Sequence, residues 1–199
     1  MNSFAIIPAA GLSRRMGESK LLKLYRHKPL IQHTLEAWCA SRVDRVLIVV
    51  RADDHALQAL LQSLAQHLSF EIVLADPPPP EMKDSFLAGW THLQESSALA
   101  GNDAILMAPA DMPHLSSPII NQLLDFHSQY PESILAPEYQ GRRGHPALFP
   151  ATVAQAVSRL ASDQGLNTLW EQFPHQSVAV DTDDSFGDFD TPQDWPAQQ

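Results

Sequence analysis

Four short apolar runs, each followed by a stretch with helical spacing, constrain this chain more than any other feature. They are FAII, VDRVLIVVR, FEIVLA and DAILMAPAD, the first beginning at Phe4 and the last at Asp103. A strand with one wet face alternates apolar and polar residues, whereas a strand apolar throughout is covered on both faces, as parallel strands are. The segments between them read as helices: PLIQHTLEAWCAS with proline in its first turn, DDHALQALLQSLAQHL with an acidic start, residues 82–94, and SPIINQLLDFHSQY. This alternation predicts a Rossmann-like α/β fold, a mostly parallel sheet with helices on both faces. After the fourth helix the pattern changes. SILAPEY and HPALFP read as extended segments around the turn QGRRG, a small antiparallel excursion. Helices over 152–161 and 166–173 and a strand SVAVD follow. No repeat or composition break divides the chain, so residues 1–199 are expected to form a single domain.

In an open sheet of this kind ligands bind beyond the carboxyl ends of the strands. Three segments therefore matter: the loop after Ile7, residues 110–112, and the chain after Val180. The distribution of charge singles out the first. The formal net charge is −10, which speaks against a general nucleic-acid binder. Yet six of the 13 Lys and Arg residues (Arg14, Arg15, Lys20, Lys23, Arg26 and Lys28) fall within the first 30 positions, where Glu18 is the one acid. Positive charge beside a small-residue turn at a strand end is where an anion is held. No apolar run approaches the roughly 18 residues of a membrane span, and the start does not read as a secretory leader. The single cysteine, Cys39, allows no internal disulfide and fits a reducing, cytoplasmic setting. His27, His33, His55 and His67 lack metal-ligand spacing and read as surface residues.

The basic loop, PAAGLSRRMGESKLL, is neither of the two common phosphate loops. In the Walker A pattern four residues separate the first glycine from Gly-Lys-Ser/Thr. Here five residues separate Gly11 from Gly17, two more precede Lys20, and the GxGxxG fingerprint is absent. What the loop offers is coherent all the same. Ala9, Ala10 and Gly11 would let backbone N–H groups approach a ligand, Arg15 supplies a planar fork, and Lys20 a mobile point charge. The plain alternative is a flexible loop with incidental arginines.

PAAGLSRRMGESKLL resembles the signature of the MobA-like nucleotidyltransferases, roughly AAGxSxRMGxxKLL, and within them the molybdenum cofactor cytidylyltransferase branch. Four further stretches match in order: LMAPADMP, RRGHPALF, DQGLNTL and DFDTPQDW. The resemblance implies a nucleotide-diphospho-sugar transferase-like fold and Mg²⁺-dependent transfer of CMP from CTP to molybdopterin cofactor, with pyrophosphate released. PAAG is closer to the cytidylyl branch than the LAGG typical of guanylyl enzymes. Alternatives are GTP or another nucleotide, a sugar or alcohol phosphate as acceptor, and a non-catalytic chaperone that carries cofactor to a molybdoenzyme. A receiving molybdoenzyme is an implied partner; nucleic acid and membrane are not.

The same resemblance assigns roles. Arg15 and Lys20 take the triphosphate, with Lys20 at the charge developing around the α-phosphorus. Asp111 and Asp190 hold Mg²⁺, which prefers one or two carboxylates together with phosphate oxygens and water. From the residues alone, Asp111 is also an Asp-x-Pro turn former, and Thr191, Pro192 and Asp194 make a good helix start that leaves Asp190 unexplained. The backbone of Ala9, Ala10 and Gly11, with Ser85, reads the base, although a serine or aspartate there equally caps its own helix. This segment departs from the family at Asp76 and around Glu81 and Met82, where an asparagine and a glycine usually stand. Arg143, Gly144 and His145 face the acceptor; without the resemblance, RRG is a solvated turn. Asp163 either borders the acceptor or caps the helix that starts at Leu166.

Overall fold

The computed structural model describes residues 1–11, 19–183 and 186. Arg15 and Asp190 lie outside them. In chain order the strands are β1 (Ser3–Pro8), β2 (Leu24–Tyr25), β3 (Lys28–Pro29), β4 (Arg45–Arg51), β5 (Glu71–Ala75), β6 (Ala104–Met107), β7 (Ile134–Tyr139), β8 (Arg142–Arg143), β9 (Ala147–Pro150) and β10 (His175–Ala179). The helices are α1 (Leu30–Cys39), α2 (His55–Leu64), α3 (Met82–Ser96), α4 (Ser117–His127), α5 (Ala151–Ala156) and α6 (Leu169–Gln172).

The main sheet runs β10-β7-β9-β6-β1-β4-β5, with β8 attached to β7. β1 is parallel to β4 and β6, β4 to β5, and β7 to β10, while β9 runs antiparallel to β6 and β7. The mostly parallel sheet and the antiparallel segment are both as the sequence predicts. The antiparallel strand, however, is not peripheral. β9 lies inside the sheet, with Met107 opposite Ala147 and Ala104 opposite Pro150.

β1, β4 and β6 are nearly continuous apolar runs because both faces are covered, whereas the edge strand β5 carries Glu71 and an exposed Leu74. Ala5, Ile7, Val46, Ile48 and Leu106 join Ile31, Leu35 and Trp38 of α1, Leu57 and Leu61 of α2, and Leu123 of α4. Phe4, Ile6, Leu47, Val49 and Ile105 join Phe86, Trp90 and Leu93 of α3, Val153 of α5 and Leu169 of α6. Each fully buried Val, Leu, Ile or Phe among them contributes about 1.5–3 kcal/mol. α3 lies especially close: a Cβ added at Gly89 would stand 2.7 Å from Ile6 Cγ2 and 3.1 Å from Val49 Cγ2. A larger residue there would push the helix off the sheet.

Several boundaries differ from the sequence expectation. β6 ends at Met107, so Asp111 stands in the following loop and not at the strand end. The helix expected over 152–161 stops at Ala156 and tightens into a 3₁₀ turn, Val157–Arg159. That expected over 166–173 is a 3₁₀ turn, Leu166–Thr168, running into α6. The β2–β3 hairpin has no forerunner in the sequence reading: Arg26 and His27 turn it at φ 45° and 68°, without the glycine or asparagine that usually marks such a turn. Cys39 is half-buried; burial raises the pKa of its thiol, which donates to the Ser69 carbonyl at 3.4 Å. His27, His55 and His67 are exposed, but His33 is half-buried, its Nε2 2.7 Å from the Tyr25 carbonyl. Among the described residues no helix is long and apolar enough to cross a membrane.

Candidate active site

Parallel strands deliver their following loops to one edge, and there the structure brings Lys20 and Asp111 together. Lys20 opens a 3₁₀ turn, Lys20–Leu22, in which Leu21 is buried and Leu22 packs against the same core. The two leucines of the motif therefore anchor the turn that presents the lysine. Asp111 is positioned from the other side. Thr34 of α1, fully buried, donates its hydroxyl to the Ala110 carbonyl at 3.0 Å, and Met112 is buried next to it. The Lys20 ammonium and the Asp111 carboxylate form an ion pair, with side chains 17% and 11% exposed. So sheltered a pair is strongly coupled, because removing either partner leaves a poorly hydrated charge. A cation and an anion held side by side suit a ligand that itself carries both signs, such as a metal-bound polyphosphate.

The small residues of the loop divide their work. The Ala9 amide donates to the Val49 carbonyl at 2.9 Å, extending the sheet ladder. The Ala9 amide is thus engaged in the sheet. Ala9 and Ala10 are buried, while Gly11 is exposed, and no described atom lies within 4 Å of a Cβ added there.

At the start of α3 the capping is done by Glu81 and Asp84, whose side chains each accept from the other's backbone N–H. Ser85 is buried, and its hydroxyl donates to the Glu81 carbonyl at 3.4 Å. Asp163 is exposed; Gly165 occupies the N-cap of the turn at Leu166, which no side chain caps.

The RRG segment is more than a solvated turn. Gln140 and Gly141, at φ 51° and 77°, reverse the chain so that Arg143 of β8 pairs with Glu138 of β7. The Gly144 amide donates to the Pro137 carbonyl at 2.8 Å, and His145 is half-buried just before β9. The Arg143 guanidinium lies over the Trp170 ring, 4.3 Å from its centroid, and Trp170 meets His175 edge-on. Since β9 separates β7 from β6, this segment enters the sheet beside the strand that leads to Asp111.

Sequence reasoning missed three contributors: Thr34, Trp170 and the Tyr25–His114 contact. The Tyr25 hydroxyl stands 3.4 Å from His114 Nε2, joining the β2–β3 hairpin to the loop that carries Asp111. None lies in a motif, and each acts across a long sequence separation that only the fold closes. Among the described residues no cluster of three His, Cys, Asp or Glu side chains is placed to hold a metal ion.

Comparison with known proteins agrees with this architecture. Purine catabolism protein PucB of Bacillus subtilis is 29% identical over 202 residues, covering 94% of this chain and 91% of that one. The 2-C-methyl-D-erythritol 4-phosphate cytidylyltransferase of Nitrosospira multiformis is 30% identical over 132 residues, 62% of this chain, which spans only 53% of that protein. Among solved structures, Rv0371c of Mycobacterium tuberculosis, also solved in complex with manganese, has a TM-score of 0.74 at 22% identity, covering 98% of this chain and 96% of that one. The molybdopterin-guanine dinucleotide biosynthesis protein A of Archaeoglobus fulgidus has a TM-score of 0.66 at 18% identity, covering 96% and 94%. These two structures share the fold. The model of the MobA-like NTP transferase domain matches residues 5–178, and the chain belongs to that family.

Proposed function

We propose that this chain is a cytoplasmic nucleotidyltransferase, one domain over residues 1–199, that transfers CMP from CTP to molybdopterin cofactor. The observation that carries the reading is the sheltered Lys20–Asp111 pair beyond the end of β1. In the reaction an acceptor phosphate oxygen bonds to the α-phosphorus of CTP. The bond from that phosphorus to the bridging oxygen breaks, and pyrophosphate leaves with the electron pair. Such chemistry depends on positioning and on neutralising charge more than on covalent help from the protein. Lys20 turns from Asp111 to the triphosphate, where Arg15 joins it. Asp111 and Asp190 would hold Mg²⁺, which when bound neutralises phosphate charge. The backbone at Ala10 and Gly11, with Ser85, lies toward the base. Arg143, Gly144 and His145 take the acceptor.

Relatives named as cytidylyltransferases, together with PAAG, support CTP; the relative solved with manganese supports a divalent cation; and RRGHP supports the pterin. The 30% identity to the methylerythritol phosphate enzyme favours a second reading, with an alcohol phosphate as acceptor. The experiment is a pyrophosphate-release assay with Mg²⁺ and each of CTP, GTP and ATP, offering molybdopterin cofactor or methylerythritol phosphate. Release with CTP and molybdopterin is expected. Release only with methylerythritol phosphate would establish the second reading, and binding without any release would leave a carrier that hands cofactor to a molybdoenzyme.

A further inference from the structure

Lys83 is the second residue of α3 and is 8% exposed. Both circumstances disfavour an ammonium: the amino end of a helix carries partial positive charge, and burial strips water from the ion. Three carbonyls offset this. The Lys83 Nζ donates to the carbonyls of Ala161, Ser162 and Gln164, each at 2.7 Å. An ammonium has three N–H donors, and all three are used. The acceptors sit within a turn that closes on itself. The Ala161 amide donates to the Gln164 side-chain oxygen at 2.9 Å, and the Gln164 amide to the Ala161 carbonyl at 3.0 Å. Carbonyl dipoles converging on one point repel one another unless a cation stands between them, and Lys83 is that cation.

The turn sits between the 3₁₀ turn at Val157–Arg159 and the short helical run that carries Trp170 beneath Arg143. On its other side, α3 is held against β1 by the close approach at Gly89. Lys83 therefore joins a fixed helix to the segment that supports Arg143.

We propose that Lys83 is a positioning residue for the acceptor half of the site. Its ammonium holds the turn at 161–164 against α3, so that Trp170 stays beneath the Arg143 guanidinium. The functional part rests on the acceptor role of Arg143 proposed above.

Lys83→Met keeps the aliphatic stem and removes the donors. The KM for the acceptor should rise about tenfold while the affinity for CTP with Mg²⁺, measured by calorimetry, stays within about twofold. Without any substrate, the upfield shift that the Trp170 ring imposes on the Arg143 side-chain protons in the NMR spectrum should collapse toward its solvent-exposed value. Trypsin cleavage after Arg159 should quicken about tenfold. In Lys83→Ala, added methylammonium should slow that cleavage again, whereas tetramethylammonium, which has no N–H, should not. An Arg143 shift unchanged in Lys83→Met, or an unchanged acceptor KM beside a loosened turn, would overturn the proposal. A wild-type protein inactive on molybdopterin whose Arg143 shift still depends on Lys83 would instead overturn the acceptor assignment. If both variants fail to fold, competitive reductive methylation of the wild type decides. Lys83 should react about tenfold more slowly than Lys23 and Lys28, and equal labelling would sink the idea.

Discussion

At the amino edge of the sheet, Asp44 accepts from both the amide and the hydroxyl of Ser3 at 2.8 Å, and the fully buried Asp103 accepts from the amides of Asn2 and Ala100 at 2.7 and 2.8 Å. At the carboxyl edge Asp111 is met by the Lys20 ammonium, a flexible side chain presented by a turn. Three of the four donors to these acids are backbone amides, at Asn2, Ser3 and Ala100, whose positions follow from the course of the main chain around β1 and β6. The third acid is held by a charge that can rotate to another anion. Fixed amides make a structural carboxylate; a movable ammonium leaves one available for a ligand.

Replacing Lys20 should give the largest effect. Lys20→Ala is expected to lower turnover by about 10²–10³, the cost of removing a charge aimed at a reacting phosphate. It should also lower stability in the absence of Mg²⁺, because Asp111 keeps a sheltered charge without its partner. Adding Asp111→Asn should restore much of that stability without restoring turnover, since the two residues act as a pair. Denaturant melts and pyrophosphate release on the three variants measure both quantities. Wild-type turnover in Lys20→Ala would erase the distinction between the two edges.

The opposite pattern is expected for Asp103→Ala. The amides of Asn2 and Ala100 lose their acceptor, and because both residues are exposed, water replaces part of it, so the cost is about 0.5–1.5 kcal/mol for each bond. Turnover per folded molecule should not change, because Asp103 stands at the far end of β6 from Asp111. A variant of full stability and reduced turnover would reverse the roles of the two edges.

The sequence was legible where local pattern and tertiary environment coincide. β1, β4 and β6 stand out because they are covered on both faces and so are nearly free of polar positions, while β5, at the edge of the sheet, keeps Glu71 and an exposed Leu74. The place of β9 within the sheet was not legible, because the insertion of a strand between β6 and β7 is settled by pairing partners and not by its own residues. In the site, Lys20 and Asp111 could be nominated from their motifs, but their pairing comes from the adjacency of β1 and β6. Lys83 gave no signal, since a lysine near a helix start ordinarily reads as solvated; only the three carbonyls brought from a distant turn make it a buried cation. Trp170 likewise reads as one more core aromatic until Arg143 is seen lying on it.

The smallest effect tests the amino edge through Glu71 at the start of β5. Arg45 donates from Nε and Nη2 to the two oxygens of Glu71, both at 2.8 Å. The Arg45 hydrogen bond, the largest influence, holds the Glu71 carboxyl below its ordinary pKa of 4.5. A carboxyl with a depressed folded-state pKa stabilises the protein above its unfolded value. That contribution is lost as the pH falls through the folded value. Glu71→Gln should therefore cost stability at pH 7 and progressively less below about pH 4, once the wild-type carboxyl is protonated as well. The side chains are 28% and 40% exposed, so solvent screening keeps the pH 7 difference to about 0.2–1 kcal/mol. Urea melts of the two proteins across this range, at low and high salt, provide the measurement. A difference that persisted undiminished in acid would mean that Glu71 is held by its shape and not by its charge. The amino edge would then resemble the carboxyl edge even less.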